Sequence, residues 1–339
     1  MRALSRKTAW ANWLLLFSVI LYILISFIIF PALGVGGEET YYPAMIIIVQ
    51  LLVFLIPALI FLYKFFGGVR ERIALKWPGV KKALISAGLA ITGYGGMALL
   101  NIIWIMIFPF LQYTASNFEM GLETPVAWLI YILTVALCPA ICEEIFFRGV
   151  LLQEYRTYMT RKGAIALSAL IFALMHLQPA VMPSLFVMGM LMAWLVIKTG
   201  SIVCAMIYHF ASNLSAIILS WHMQSGSLQL MNITSGFNAI MTVIIITAVL
   251  IVLLICFGLL MAAVSKMSRP QRMEEQPIAG DMEESILFID EESAMPVGAV
   301  YKRKAMRPPG SAAIYWVVCA IFIVLNLSVI VMAVLRGGA

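Results

Sequence analysis

Residues 142–148 read Cys142-Glu143-Glu144-Ile145-Phe146-Phe147-Arg148, two adjacent carboxylates and an arginine inside an otherwise apolar run. An ionised side chain in the bilayer core costs from about 2.5 to well over 10 kcal/mol. Such groups persist there only with a partner and a task. Two further polar pairs interrupt apolar runs downstream, Phe172-Ala173-Leu174-Met175-His176 and His209-Phe210-Ala211-Ser212-Asn213. Together the three insertions read as a water-activating site buried in a membrane protein.

The surrounding chain agrees with that reading. Its mean hydropathy is +1.02 and only 11% of its residues are charged, where a soluble domain carries about 25%. Nine apolar runs approach the roughly 20 residues that a spanning helix needs. They cover 13–33, 43–66, 84–111, 126–156, 163–178, 180–197, 201–221, 237–264 and 314–335. The fifth is short, and Pro183 interrupts the start of the sixth. The runs are continuously apolar rather than alternating, which excludes a barrel and leaves helices. The expected fold is an all-α polytopic bundle, with an eight-helix core and a ninth span.

Lys and Arg set the expected orientation. Arg2, Arg6 and Lys7 precede the first span, which places the N-terminus in the cytoplasm. Alternation then puts Lys64, Arg70, Arg72, Lys76, Lys81, Lys82, Arg156, Arg161, Lys162 and Lys198 on the same side. Glu38, Glu39, Glu119 and Glu123 fall on the other side, and Arg336 alone breaks the pattern. Nine crossings put the C-terminus opposite the N-terminus, with the cell membrane as the expected location. Basic loops beside anionic lipid account for the net charge of +6 without nucleic acid. The first run exceeds a signal-peptide core and lacks an A-x-A site, so it is expected to be retained. Cys138, Cys142, Cys204, Cys256 and Cys319 all lie in spans, where reduced thiols are expected rather than disulfides.

Three regions follow. Residues 1–264 form the membrane core. Residues 265–312 turn basic, acidic and basic again, are broken by Pro270, Pro277, Pro296, Pro308 and Pro309, and read as a solvated, mostly disordered cytoplasmic loop. Residues 313–339 carry the appended ninth span.

Spacing sorts the polar groups. Glu144 and Arg148 are four apart with the acid first, the favourable order for a helical ion pair. Glu143 points about 100° away around the helix and has no partner in its own span, so it is the freer carboxylate. His209 and Asn213 share a face, as do Phe172 and His176, so Phe172 is placed to pack beside the imidazole. At about 1.5 Å per residue, these helices present Glu143, His176, His209 and Asn213 near one level of the membrane. Pro139, one turn before Glu143, is expected to loosen its helix. His222 lies past the end of a span and is given no role.

At Glu143-Glu144-x-x-x-Arg148, Phe172-x-x-x-His176 and His209-x-x-x-Asn213, in that order, the chain resembles the CPBP family of CAAX proteases and bacteriocin-processing enzymes, also called Abi. The family includes the type II CAAX prenyl endopeptidase. The resemblance implies a glutamate-type intramembrane endopeptidase. It implies Glu143 as general base, His176 as the group that holds and activates water, and His209 and Asn213 as the pair that stabilises the oxyanion. Glu144 and Arg148 match the supporting charges. The implied partner is a membrane-associated peptide or protein, either a prenylated CAAX sequence or a precursor peptide.

The chemistry of the residues fits. A second polar group must orient the water, and an amide or imidazole N–H can meet the charge that develops on a tetrahedral intermediate. No cofactor is expected. The alternative within the protease reading is a zinc enzyme with Glu143, His176 and His209 as ligands, although no HExxH is present. Outside it stand a non-catalytic immunity or scaffold protein of the same fold, and a transporter using Glu143 and His176 as a proton relay.

Overall fold

The computed structural model describes residues 2–35, 41–66, 73–114, 121–224, 236–267, 318, 320–321 and 323–331. No strand occurs among these residues. The membrane helices are α1 (Lys7–Ala32), α2 (Tyr42–Phe66), α3 (Val80–Ile107) and α4 (Pro125–Thr157). They continue with α5 (Arg161–Met175), α6 (Met182–Thr199), α7 (Ile202–Gln224) and α8 (Gly236–Ser265). Seven helices are long and apolar enough to cross a membrane, and the expected all-α polytopic bundle is what forms. Large apolar side chains cover the outer faces, among them Ile20 and Phe27 on α1, Ile102 and Met106 on α3, and Val126 and Leu129 on α4.

α4 is the central element. Every residue from 142 to 152 is buried, which only a helix packed on all sides achieves. α2 packs on it through Phe54, whose ring lies 5.4 Å from Phe146 and 5.6 Å from Phe147.

Prolines shape these helices locally. Wider, π-helical turns run over Leu24–Ile29, Gln50–Leu55 and Ile132–Leu137. Each ends two residues before a proline: Pro31, Pro57 and Pro139. A proline ring clashes with the carbonyl four residues back and offers it no N–H, and the widened turn relieves the crowding. A carbonyl left without its helical donor is costly in lipid. Pro57 deprives Val53 O, which accepts from Ser18 Oγ of α1 at 2.8 Å. Pro139 deprives Val135 O, which accepts from Asn213 Nδ2 of α7 at 3.2 Å. The expected loosening before Glu143 is present, and a polar neighbour compensates it. A fourth π turn, Ile145–Leu151, has no proline behind it. Gln153 Nε2 caps its Arg148 carbonyl at 3.1 Å.

α5 differs from expectation. The run at 163–178 was expected to span, but the helix holds 15 residues. That is about 22 Å of rise against a hydrocarbon core of about 30 Å. Its start is capped by Thr160, whose side chain accepts from Gly163 N at 3.2 Å. Its end is set at His176 and Leu177, the latter with φ +50°, a left-handed conformation that stops a helix. A short link then returns the chain antiparallel along α5 as α6, which ends at Gly200 with φ +66°. Gly189 lets the two arms meet: a Cβ there would lie 3.0 Å from the Ala169 Cα.

Of the ninth run, residues 323–331 are helical, and Val318 and Asn326 are buried. The charged loop, apart from residues 265–267, lies outside the described residues. So do Glu38, Glu39, Arg70, Arg72, Glu119 and Cys319. The other four cysteines are free thiols.

Candidate active site

Glu143 and Glu144 sit side by side in the stretch Cys138–Glu144 of α4, both buried, yet they face different helices. Glu144 Oε1 accepts from Arg148 Nη1 at 2.8 Å, and His209 Nδ1 of α7 stands 3.0 Å from the same oxygen. Neither Glu144 nor Arg148 has any exposed surface. Arg148 Nη2 donates to the Gly189 carbonyl of α6 at 3.0 Å, a bond that the close approach at Gly189 permits. The guanidinium also lies over the Phe172 ring, 4.5 Å from its centre, a favourable cation–π geometry. One ion pair therefore ties α4, α5, α6 and α7 together.

Among the described residues, Glu143 has no charged hydrogen-bond partner. Its Oε1 accepts from Gln50 Nε2 of α2 at 2.6 Å. Its Oε2 is buried and has no hydrogen-bond partner among the described residues, as is also true of Glu144 Oε2. Gln50 escaped the sequence reading, although it stands alone among apolar residues between Ala44 and Tyr63. A solitary amide in a spanning run was the available signal.

His176 caps the end of α5. Its Nδ1 lies 2.8 Å from the Phe172 carbonyl. A carbonyl only accepts, so Nδ1 carries a hydrogen, and Nε2 is the ring nitrogen left for another contact. Phe172 O is one of the four carbonyls that a helix end leaves without partners. The backbone N–H of His176 takes Ala173 O, and that of Leu177 takes Leu174 O. Asn326 Nδ2 of the ninth run reaches the latter oxygen at 3.5 Å.

The structure brings His176, His209 and Arg148 around Phe172. Its ring centre lies 4.7 Å from that of His176 and 5.8 Å from that of His209. His209 and Asn213 share the α7 face turned toward α4, His209 on Glu144 and Asn213 on the freed Val135 carbonyl. Asn213 keeps a second Nδ2 hydrogen beyond that contact. Among the described residues, no group of three or more His, Cys, Asp or Glu side chains is gathered as a metal ion requires. Glu143, His176 and His209, the zinc set considered above, do not form one.

Neither a curated protein nor a solved structure matches the chain. A family model does, over residues 125–215, a stretch that holds all three motifs from Glu143 to Asn213. The match supports an intramembrane endopeptidase of the CAAX-protease kind. Over residues 125–215 the chain thus matches the family described as type II CAAX prenyl endopeptidase Rce1-like, the group that its three ordered motifs resemble.

Proposed function

We propose that the chain is a glutamate-type endopeptidase that hydrolyses a peptide bond within the membrane by activating water. The observation that carries this reading is the unequal treatment of two neighbouring carboxylates. Each keeps one buried oxygen without a partner among the described residues, but the charge of Glu144 is paired with Arg148, whereas Glu143 has only the neutral Gln50 amide among its described hydrogen bonds. A general base needs a carboxylate oxygen within reach of its water.

In this reading Glu143 Oε2 takes one proton from water, and His176 Nε2 accepts a hydrogen bond from the O–H that remains. The water oxygen bonds to the scissile carbonyl carbon, and the carbonyl π electrons move onto its oxygen. Asn213 Nδ2 donates to that oxyanion. His209 donates from Nε2 when its ring carries both protons, with Glu144 as counter-charge. Collapse of the intermediate re-forms the carbonyl and breaks the C–N bond. The proton held by Glu143 passes to the departing nitrogen. The products are an acid and an amine, with no acyl-enzyme and no metal step.

The substrate class we propose is a membrane-associated peptide, either a C-terminal CAAX segment beside a prenylated cysteine or a precursor peptide. The reading keeps the cytoplasmic N-terminus and cell-membrane location suggested by the basic loops. It also keeps residues 1–264 as the catalytic core. Cleavage of a quenched fluorescent peptide panel, including a prenylated CAAX peptide, by detergent-purified wild type and Glu143→Gln tests it. The reading expects cleavage by wild type and none by a folded variant. Equal turnover by the two would sink the role given to Glu143.

A further inference from the structure

Gln50 lies far from the matched stretch in sequence, on the second span, yet its amide meets the carboxylate given the role of base. We propose that Gln50 is the positioning residue of that base: it fixes Glu143 Oε1, so that Oε2 alone is presented to water. The inference rests on the protease reading of Glu143.

Four observations support it. The contact is short, 2.6 Å, and both side chains are buried, Gln50 at 6% exposure and Glu143 at 6%. An ionised carboxylate only accepts, so the amide nitrogen must face it, which settles the orientation of Gln50. The amide is neutral. It restrains the carboxylate's rotation without cancelling its charge, as Arg148 does for Glu144. Finally, Gln50 is held in place by the structure that follows it. It opens the π turn that precedes Pro57, and Phe54 in that turn is wedged against Phe146 and Phe147, just beyond the two glutamates.

A carboxylate free to rotate would offer two equivalent oxygens in many orientations. One held at a single oxygen offers the other in one direction, and catalysis gains from such restraint. A hydrogen bond to a charged group carries enough energy for its loss to cost roughly 10- to 100-fold in rate.

The test compares wild type, Gln50→Met, Gln50→Asn and Glu143→Gln as detergent-purified full-length proteins on a cleaved reporter peptide. Cleavage kinetics and thermal unfolding are both measured. Gln50→Met keeps the length of the side chain and removes the amide. Gln50→Asn keeps an amide one methylene short. The expected result is a fall in kcat of about 10- to 100-fold for Gln50→Met, with KM within about twofold. Gln50→Asn should fall between Gln50→Met and wild type, and the unfolding temperatures should stay close to that of wild type. Wild-type kcat in folded Gln50→Met overturns the proposal. So does a loss fully explained by less folded protein. If Gln50→Met does not fold, wild-type kcat in Gln50→Asn overturns it and a reduced kcat with unchanged KM supports it. Cleavage by Glu143→Gln at the wild-type rate overturns the protease reading itself, whereas loss in Glu143→Gln with full activity in both Gln50 variants overturns only the role of Gln50.

Discussion

Two glutamates adjacent in sequence receive opposite treatment. Glu144 is bound by an arginine and a histidine from two helices, and its arginine reaches a third. Glu143 is held by one neutral amide and has no cation among its described hydrogen bonds. The difference follows from helix geometry. Neighbouring residues point about 100° apart, so Glu144 looks toward Arg148, one turn on, and α7, while Glu143 looks toward α2. A buried charge can hold a bundle together or remain available for chemistry, and here one dipeptide supplies both. The prediction of largest effect therefore concerns the bundle. Arg148→Met leaves Glu144 buried without its countercharge and should cost about 3–5 kcal/mol, read as loss of the folded protein in thermal unfolding. Wild-type stability in that variant would erase the distinction between the two carboxylates.

Asn213 stands between the two roles, and its replacement sharpens the comparison. Asn213→Leu abandons the Val135 carbonyl that Pro139 had already freed, at a cost of about 1–3 kcal/mol in stability. Loss of an oxyanion donor should also lower kcat about 10²–10³-fold. A stability loss with unchanged kcat in the remaining folded enzyme would assign Asn213 to the helix alone. A smaller effect is expected from Gly189→Ala, whose new methyl group meets the Ala169 backbone. Pushing α6 away from α5 should cost about 1–3 kcal/mol and loosen the Arg148 bond to the Gly189 carbonyl, with the chemistry of Glu143 less affected. The smallest expected effect is that of a chelator. The proposed mechanism uses no metal, so cleavage should be unchanged by the chelator. Inhibition reversed by zinc would contradict the metal-free mechanism.

Much of this was legible in the sequence, for identifiable reasons. The Glu144–Arg148 pair and the stacking of Phe172 on His176 are local, i to i+4, and helical period alone places them. The loosening before Glu143 follows from the missing N–H of Pro139. The apolar runs marked the spans, but α5 shows their limit: the run drawn to Gln178 resumes at Ala180 after a short break, while the backbone turns at Leu177. Hydropathy measures where lipid is tolerated, not where a helix ends. Contacts between helices were the unreadable part. Nothing in the pattern of α2 says that Gln50 faces Glu143 rather than another polar group, or that Gly189 lends its carbonyl to Arg148. The compensation of Val53 by Ser18 and of Val135 by Asn213 is hidden in the same way. The proline announces a freed carbonyl, and only packing chooses the donor.

The most direct test of the central claim measures cleavage and thermal unfolding side by side for Glu143→Gln and Glu144→Gln. The account predicts that Glu143→Gln folds with near wild-type stability and loses cleavage by about 10²–10⁴-fold, the usual worth of a general base. It predicts that Glu144→Gln is the variant that loses stability, because Arg148 loses its buried countercharge and His209 its carboxylate partner. Cleavage retained by Glu143→Gln, or the two variants behaving alike in both measurements, would contradict it.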